Sequence, residues 1–235
     1  MKPWLALLLA VTASAEVYQA RHDHLRGSCD GRLRFDDEGV EFESETKKKH
    51  SWKLTWLDIQ QIRLLDNGDF RLLTYQDRRW MLGADREYKL HVSDTEFPSQ
   101  MTPQLEKHLG RRFVAGLVPE SKALWELPAK HLLRFTGAEG SLIVTAESVL
   151  FRSPKPGSSR AWALSDIDSV SSNDALQLTL VTYEHARSHY GDRKSYNFLL
   201  KQPLDPTRYN QLWRALEQAK GLDIQTLSDE KKYAR

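Results

Sequence analysis

The feature that most constrains this chain is a match of the sequence to itself at an offset of about 109 residues. Residues 31–44 (GRLRFDDEGVEFES) align with residues 140–153 (GSLIVTAESVLFRS). The identical positions are Gly31/Gly140, Leu33/Leu142, Glu38/Glu147, Val40/Val149, Phe42/Phe151 and Ser44/Ser153. After a one-residue deletion the match continues, with residues 58–59 on 166–167 and residues 72–75 on 180–183. The sequence therefore predicts an internal duplication.

The boundaries of the repeat divide the chain into domains. We expect the first domain at residues 16–116, a linker at 117–121 and the second domain at 122–222. Residues 223–235 form a charged tail. The chain has enough apolar residues for one large core or two small ones, because 40% of it is hydrophobic.

The periodicity within each copy is that of β-strands. Cys29, Leu33 and Phe35 alternate with charged residues, and residues 36–39 (DDEG) are typical of a hairpin turn. The seven strands predicted in the first copy lie at residues 29–35, 40–43, 52–56, 58–64, 69–75, 78–82 and 86–92. The fourth of these begins with an Asp-Ile pair. Asp58 and its repeat Asp166 are expected to form turns or cap strands rather than to supply a catalytic pair.

Helical signals follow the strands in both copies. In the first copy Thr102 is a candidate cap, Pro103 suits the first helical position and Gly110 ends the pattern. In the second copy Asp205 caps and Pro206 opens a helix. Its apolar stripe is formed by Tyr209, Leu212, Trp213 and Leu216.

Seven antiparallel strands followed by one helix in about 100 residues resemble the pleckstrin-homology-like (PH-like) fold, and the chain is similar to tandem bacterial PH-like and GRAM-like proteins. The resemblance implies a mainly β fold of two seven-stranded antiparallel barrels, each closed by a C-terminal α-helix. It also implies binding of lipids, peptides or partner proteins, without fixing which of these. Phosphoinositide binders of this kind carry Lys and Arg in the first loop. Here that loop is 36–38 (DDE), or 145–147 (TAE) in the second copy, which disfavours phosphoinositides.

The N-terminus is typical of an export signal. Lys2 precedes a short apolar run at residues 4–12, and Ala13-Ser14-Ala15 is a small-x-small cleavage site. We expect residues 1–15 to be a signal peptide, with an uncleaved anchor as the alternative, and the protein to be periplasmic or secreted from a bacterium. The single Cys29 excludes an intrachain disulfide and a multi-cysteine zinc cluster.

The charge balance disfavours nucleic acid as a partner, because 34 Lys+Arg face 32 Asp+Glu. Lys47, Lys48 and Lys49 form the densest basic run, just before His50. They are candidates for binding anionic lipid or polysaccharide, although a solvated hairpin tip explains them as well, since three glutamates lie upstream. Membrane association is therefore expected to be weak.

Histidine pairs raise the question of a metal site. His22 and His24 share one face of a strand, but the sequence identifies no third ligand for them. His185 and His189 would lie roughly 13 Å apart on an extended chain. His131 repeats His22, yet Leu133 replaces His24 in the second copy. The prediction is that the chain has no metal site and no cofactor.

Known catalytic motifs are absent from the sequence, including G-x-S-x-G and H-E-x-x-H.

The tryptophans fall into two groups. We assign Trp52, Trp56 and Trp213 to the core, whereas Trp80 and Trp125 are candidates for an exposed apolar surface that contacts a partner. We therefore expect an exported, non-enzymatic binding or adaptor protein that engages an unknown protein or envelope component. The alternatives are an exported metal-dependent hydrolase around His22 and His24, and a peripheral membrane module.

Overall fold

The structure is a computed structural model, which describes residues 16–78, 81–117, 122–133, 136–186 and 193–222. Several features predicted from the sequence lie outside these residues. They are the signal peptide at 1–15, most of the linker, the tail at 223–235, Trp80 and His189.

The first half of the chain forms an eight-stranded sheet, sheet A, with one long helix. The elements are β1 (Glu16–Asp23), β2 (Ser28–Phe35), β3 (Gly39–Ser44), β4 (Trp52–Thr55), β5 (Ile59–Leu64), β6 (Asp69–Arg78), β7 (Met81–Val92), α1 (Phe97–Leu109) and β8 (Phe113–Ala115). The strand order is β4-β3-β2-β1-β7-β6-β5-β8. All neighbours are antiparallel except β5 and β8, which run parallel.

The second half forms a seven-stranded sheet, sheet B, again followed by a helix. Its elements are β9 (Trp125–Leu132), β10 (Gly137–Val144), β11 (Ser148–Arg152), β12 (Arg160–Ala163), β13 (Ile167–Ser171), β14 (Gln177–His185), β15 (Arg193–Leu200) and α2 (Pro206–Ala219). The order β12-β11-β10-β9-β15-β14-β13 repeats that of the first seven strands of sheet A.

The mainly β class is confirmed, but the prediction of two seven-stranded barrels is wrong for sheet A. That sheet is open and has eight strands, because β8 occupies the outer edge of β5 and leaves β4 at the opposite edge. Sheet B curls without a strand that joins its edges β12 and β13 among the described residues.

The two units protect the equivalent edge in different ways. In sheet A, β8 pairs Phe113 with Ile62 of β5. In sheet B, side chains from the helical region satisfy the edge carbonyls of β13: Tyr209 donates its hydroxyl proton to Val170 O, and Lys220 Nζ donates to Asp168 O. Both arrangements reduce the tendency of an exposed edge to pair with another chain.

Some predicted element boundaries are also wrong. The prediction missed β1 and divided residues 78–92 into two short strands, whereas β6 and β7 form one long hairpin. The last four residues of β6 are all exposed, so the alternation that marks a half-buried strand is missing there. Helix α1 begins at Phe97, next to Pro98, and contains Pro103 in its interior.

Helix α2 begins as predicted, since the Asp205 side chain accepts a hydrogen bond from Arg208 N. The stripe prediction is partly wrong: Leu212 and Leu216 are buried, but Trp213 is 38% exposed. Neither this helix nor any other in the described parts of the chain has the length and apolar character needed to cross a bilayer.

Local details recur at equivalent positions of the two sheets. The β5–β6 ladder has an irregularity just after the pair Ile59–Thr74, and the β13–β14 ladder has one just after Ile167–Thr182. Thr74 Oγ1 donates to Arg86 O, and Thr182 Oγ1 donates to Lys194 O. These residues therefore have the same structural role in both sheets.

The repeated glycines have a steric explanation. A Cβ atom at Gly31 would collide with the carbonyl oxygen of Glu43, and a Cβ atom at Gly140 would collide with that of Arg152. Both glycines permit close approach of two neighbouring strands, because any larger residue would push the backbones apart.

We predict that Gly31→Ala and Gly140→Ala each lower the free energy of unfolding by about 1–3 kcal/mol, because the added methyl group meets backbone rather than a flexible side chain. Denaturant titration of the two variants measures this. Ser141→Ala, on the neighbouring residue, is the control and should change stability by less than about 0.5 kcal/mol. Full stability in either glycine variant would contradict the steric explanation.

Candidate functional site

A buried carboxylate joins the two sheets. Glu184 of β14 is 5% exposed, and it accepts hydrogen bonds from Trp162 Nε1 at 3.1 Å and from the Tyr196 hydroxyl at 2.6 Å. Arg63 of β5 in sheet A donates its Nη2 proton to Glu184 Oε2 at 3.0 Å. Lys194 Nζ lies 3.5 Å from the same oxygen. The carboxylate is therefore shared by donors from both sheets.

Electrostatics explain why this carboxylate stays ionised. Burial alone would raise the pKa of Glu184, but the positive charges of Lys194 and Arg63 and the Tyr196 hydrogen bond bring it below the ordinary value. Burial lowers the pKa of Lys194 to about 7, despite the opposing effect of Glu184. Loss of the carboxylate charge would leave buried cations without compensation.

Two further contacts cross between the sheets. The Arg111 guanidinium, just after α1, lies 5.2 Å from the centre of the Tyr183 ring on β14. The backbone N–H of Gly157 donates to Asp66 Oδ1. Together with the Glu184 cluster, these contacts hold sheets A and B in one arrangement.

We predict that Glu184→Gln lowers the free energy of unfolding by about 3–5 kcal/mol, because it leaves Arg63 and its cationic neighbours buried without a counter-charge. Equilibrium unfolding in urea provides the measurement. Glu43→Gln is the matched control: Glu43 pairs with Arg32 at 2.8 Å on the surface, and its loss should cost less than about 1 kcal/mol. Equal effects of the two substitutions would show that the buried pair is no different from a surface pair.

A second cluster contains the histidine pair noted in the sequence. The ligand atoms of His22, His24 and Cys29 all lie within 4.8 Å of one another. His24 Nε2 is 3.1 Å from Cys29 Sγ, and the His24 and His50 ring centres are 4.3 Å apart. The structure thus places a third potential ligand, which the sequence did not identify, beside the pair. Cys29 comes from β2, directly opposite His22 in the β1–β2 ladder.

Two residues of this cluster are buried, and His24 and His50 are half-buried. His22 is 6% exposed and Cys29 is 5% exposed, as their inward positions on adjacent strands require. Burial lowers the pKa of His22 to about 4, with further contributions from His24 and His50. The imidazole of His22 is therefore neutral at neutral pH.

The second sheet has a buried histidine at the same place. His131 packs against the rings of Phe151, Tyr196 and Phe198, and burial lowers its pKa to about 4 as well. Its partner across the ladder is Ala138 instead of a cysteine. A buried histidine is thus common to both sheets, whereas the cluster is confined to sheet A among the described residues.

These depressed pKa values predict a loss of stability on acidification. In the unfolded chain His22 and His131 bind protons near pH 6.5, but in the fold they stay neutral down to about pH 4. The free energy of unfolding of metal-free protein should therefore fall between pH 7 and pH 5, by up to about 1.4 kcal/mol per pH unit for each histidine. His131→Gln should reduce this slope, and an unchanged slope would contradict the assignment.

An open groove lies on the outer face of sheet A. It has a volume of about 520 Å³ and is lined by Val17, Gln19, Arg21, Asp30, His91 and Asp94, among others. Strand β1 pairs with β7 only over Ala20–Asp23, so its first half diverges from β7 at the groove. Val17 is 54% exposed there.

The remaining sequence candidates have different locations. Lys47, Lys48 and Lys49 are exposed, beside and within a 3₁₀ turn that ends at His50. Trp125 is 6% exposed and packs in the core of sheet B, so its assignment to an exposed surface is wrong. The reason is that Trp125 begins β9 on the inward-facing register.

No protein-family model matches the chain, and no curated protein matches it. Among solved structures, the chain is similar to the Spt16D–Pob3N heterodimer, with a TM-score of 0.35 and 11% identity over 72% of this chain and 84% of that chain. It is also similar to the C-terminal domain of an unknown protein from Leishmania infantum (TM-score 0.29, 12% identity, 42% and 83% coverage). The linker-DH/PH domains of p115-RhoGEF give a TM-score of 0.30 and 11% identity, over 46% of this chain and 32% of that chain. At these scores and identities, the similarities assign no function to this chain.

Proposed function

We propose that the protein is an exported, non-enzymatic binding or adaptor protein, built from a duplicated PH-like unit, that binds an extended segment of a partner protein in the groove beside β1. The observation that carries this proposal is the divergence of β1 from β7. Half of β1 lines an open groove instead of pairing with β7.

The backbone of β1 is suited to strand addition at this point. Asp30 O of β2 accepts a hydrogen bond from Glu45 N on the side of β3. Asp30 therefore does not bond with Arg21, its partner in the β1–β2 ladder, and the backbone groups of Arg21 point away from β2. Along an antiparallel strand every second residue points in the same direction, so the backbone N–H and C=O groups of Val17 and Gln19 also point away from β2. Those groups face the groove, where an extended segment can pair with them, and neighbouring side chains can supply specificity.

The wall of the groove is fixed by helix α1. The Tyr18 hydroxyl lies 3.0 Å from Gln100 Oε1 and donates toward it, and Gln104 Nε2 donates to Glu16 Oε1. The first half of β1 is therefore held in place although β7 does not pair with it. A preformed site costs less ordering on binding than a flexible one.

The recurrence of strand order, ladder irregularity and glycine contacts supports the duplication. The inter-sheet contacts of Glu184 support an arrangement in which both units move together. In such an adaptor, the position of the groove relative to the second unit does not change.

A metal-dependent hydrolase around His22 and His24 is the second candidate, favoured by the position of Cys29 beside the histidine pair. The burial of His22 and Cys29 weighs against it, because a catalytic metal keeps an open coordination position for water or substrate. Assays of hydrolysis with zinc-loaded protein distinguish the two functions.

We predict that Val17→Asp reduces partner recovery at least about tenfold, a change of about 1.4 kcal/mol in binding free energy. The substitution places a charge at an exposed apolar position in the groove, so the fold should be retained. The measurement is quantitative mass spectrometry of proteins captured from envelope extract by immobilised full-length chain. The amide protons of Val17 and Gln19 should exchange more slowly when the captured partner is added.

The matched control is Leu176→Asp, which places the same residue at an exposed leucine in the turn between β13 and β14. It should leave recovery unchanged. An equal loss of partner recovery in both variants would contradict the groove as the binding site. Equal recovery by the unaltered protein and both variants would contradict it too. Turnover of a small substrate without any stoichiometric partner would contradict the adaptor function itself.

A further inference from the structure

We propose that His22, His24 and Cys29, with His50 as the candidate fourth ligand, bind a soft transition-metal ion, with Cu(I) preferred to Zn(II). The four side chains come from β1, the loop after it, β2 and the turn before β4. The site is separate from the groove on the outer face of the same sheet.

The spacing of the ligand atoms fits a single ion. Metal–nitrogen distances near 2.1 Å and metal–sulfur distances near 2.3 Å place tetrahedral ligand atoms about 3.6 Å apart. In the cluster, His24 Nε2 and Cys29 Sγ are 3.1 Å apart, and all three pairs formed by His22, His24 and Cys29 lie within 4.8 Å. These separations lie on either side of the required distance. The His50 ring centre lies 4.3 Å from that of His24, which makes His50 the candidate for a fourth ligand.

Unpartnered nitrogens provide a second, independent indication. His22 Nδ1 and His50 Nδ1 are buried and have no hydrogen-bond partner. A buried polar atom without a partner costs free energy, so such atoms are uncommon in folded proteins. A metal ion would use the lone pair of a neutral imidazole nitrogen and remove that cost.

The other half of the chain shows that the fold does not require this cluster. In sheet B, His131 takes the place of His22 and pairs with Ala138, which takes the place of Cys29. Leu133 takes the place of His24. Sheet B thus keeps the buried histidine without the other ligands. His24 and Cys29 are therefore not needed to build a sheet of this type, and metal binding gives them a role.

Charge favours a monovalent ion. The surroundings of the cluster are mainly positive. The positive charges near its histidines are those of Lys47, Lys49 and Arg86, and the negative charge is that of Asp23. Cu(I) bound to one thiolate and neutral imidazoles has no net charge, whereas Zn(II) in the same site would leave a charge of +1. A buried positive charge beside cations is unfavourable. Thiolate and imidazole are also ligands that Cu(I) accepts readily.

Binding is an exchange of a proton for the metal. The Cys29 thiol loses its proton to solvent, the sulfur donates to the metal, and the imidazoles donate through their free nitrogen lone pairs. No oxidation or reduction takes place when copper is supplied as Cu(I).

The experiment titrates Cu(I), held by the chromophoric chelator bicinchoninate, into the reduced, metal-free full-length protein without oxygen. We expect one Cu(I) per chain. Cys29→Ser should weaken binding by at least about 100-fold, more than the loss of an outer-shell partner usually causes. His24→Asn should also weaken binding. His131→Asn, at the equivalent buried position of sheet B, is the control and should bind Cu(I) like the unaltered protein.

A parallel titration with Zn(II) and a zinc indicator tests the preference. X-ray absorption of the loaded protein should show one sulfur and two or three nitrogen ligands. Circular dichroism establishes that each variant is folded; should Cys29→Ser not fold, His24→Asn, which removes a half-buried ligand, decides the question. Unchanged Cu(I) affinity in a folded ligand variant, or absence of stoichiometric binding, would overturn the site. Tighter binding of Zn(II) than of Cu(I) would overturn the preference.

Discussion

One buried carboxylate organises this molecule. Glu184 is the place where sheet A, through Arg63, and sheet B, through Trp162 and Tyr196, share a single charged group. Burying a carboxylate is costly unless donors surround it, and here the donors come from both sheets. Either sheet alone would leave part of this network unpaired. The arrangement of the two sheets therefore follows from the need to satisfy Glu184 and the cations around it.

Within that arrangement, the two sheets share several features and differ in others. Both have the same order of seven strands, a glycine at the close approach of two strands and a buried histidine on the first strand. They differ at the outer edge, where sheet A adds β8 and sheet B uses Tyr209 and Lys220. They differ also beside the buried histidine. Sheet A has Cys29 there, whereas sheet B has Ala138.

The sequence was sufficient for the features that local chemistry determines. The alternation of Cys29, Leu33 and Phe35 predicted β2, and Asp205 with Pro206 predicted the start of α2. The repeat at residues 31–44 and 140–153 predicted equivalent strands, and these strands are found. Buried strands and helix caps depend on a few neighbouring residues, so short patterns suffice for them.

Features that depend on pairing between distant segments could not be predicted. Strand β8 has three residues and exists because the edge of β5 accepts it. The third member of the histidine cluster was visible only once the ladder placed Cys29 opposite His22. The burial of Glu184 had no sequence signal either, since its cationic partner Arg63 lies 121 residues away in the other sheet. Trp125 was misplaced because its large apolar ring was not assigned to a strand register.

The most direct test of this account is native-state hydrogen exchange across both sheets. If the Glu184 network makes the two sheets one folding unit, the slowest amides of β5 and β6 and those of β13 and β14 should exchange through openings of equal free energy and equal denaturant dependence. Two different opening free energies, one for the slowest amides of each sheet, would mean that one sheet opens fully while the other remains closed. That result would show that the sheets are independent domains and that Glu184 does not unite them.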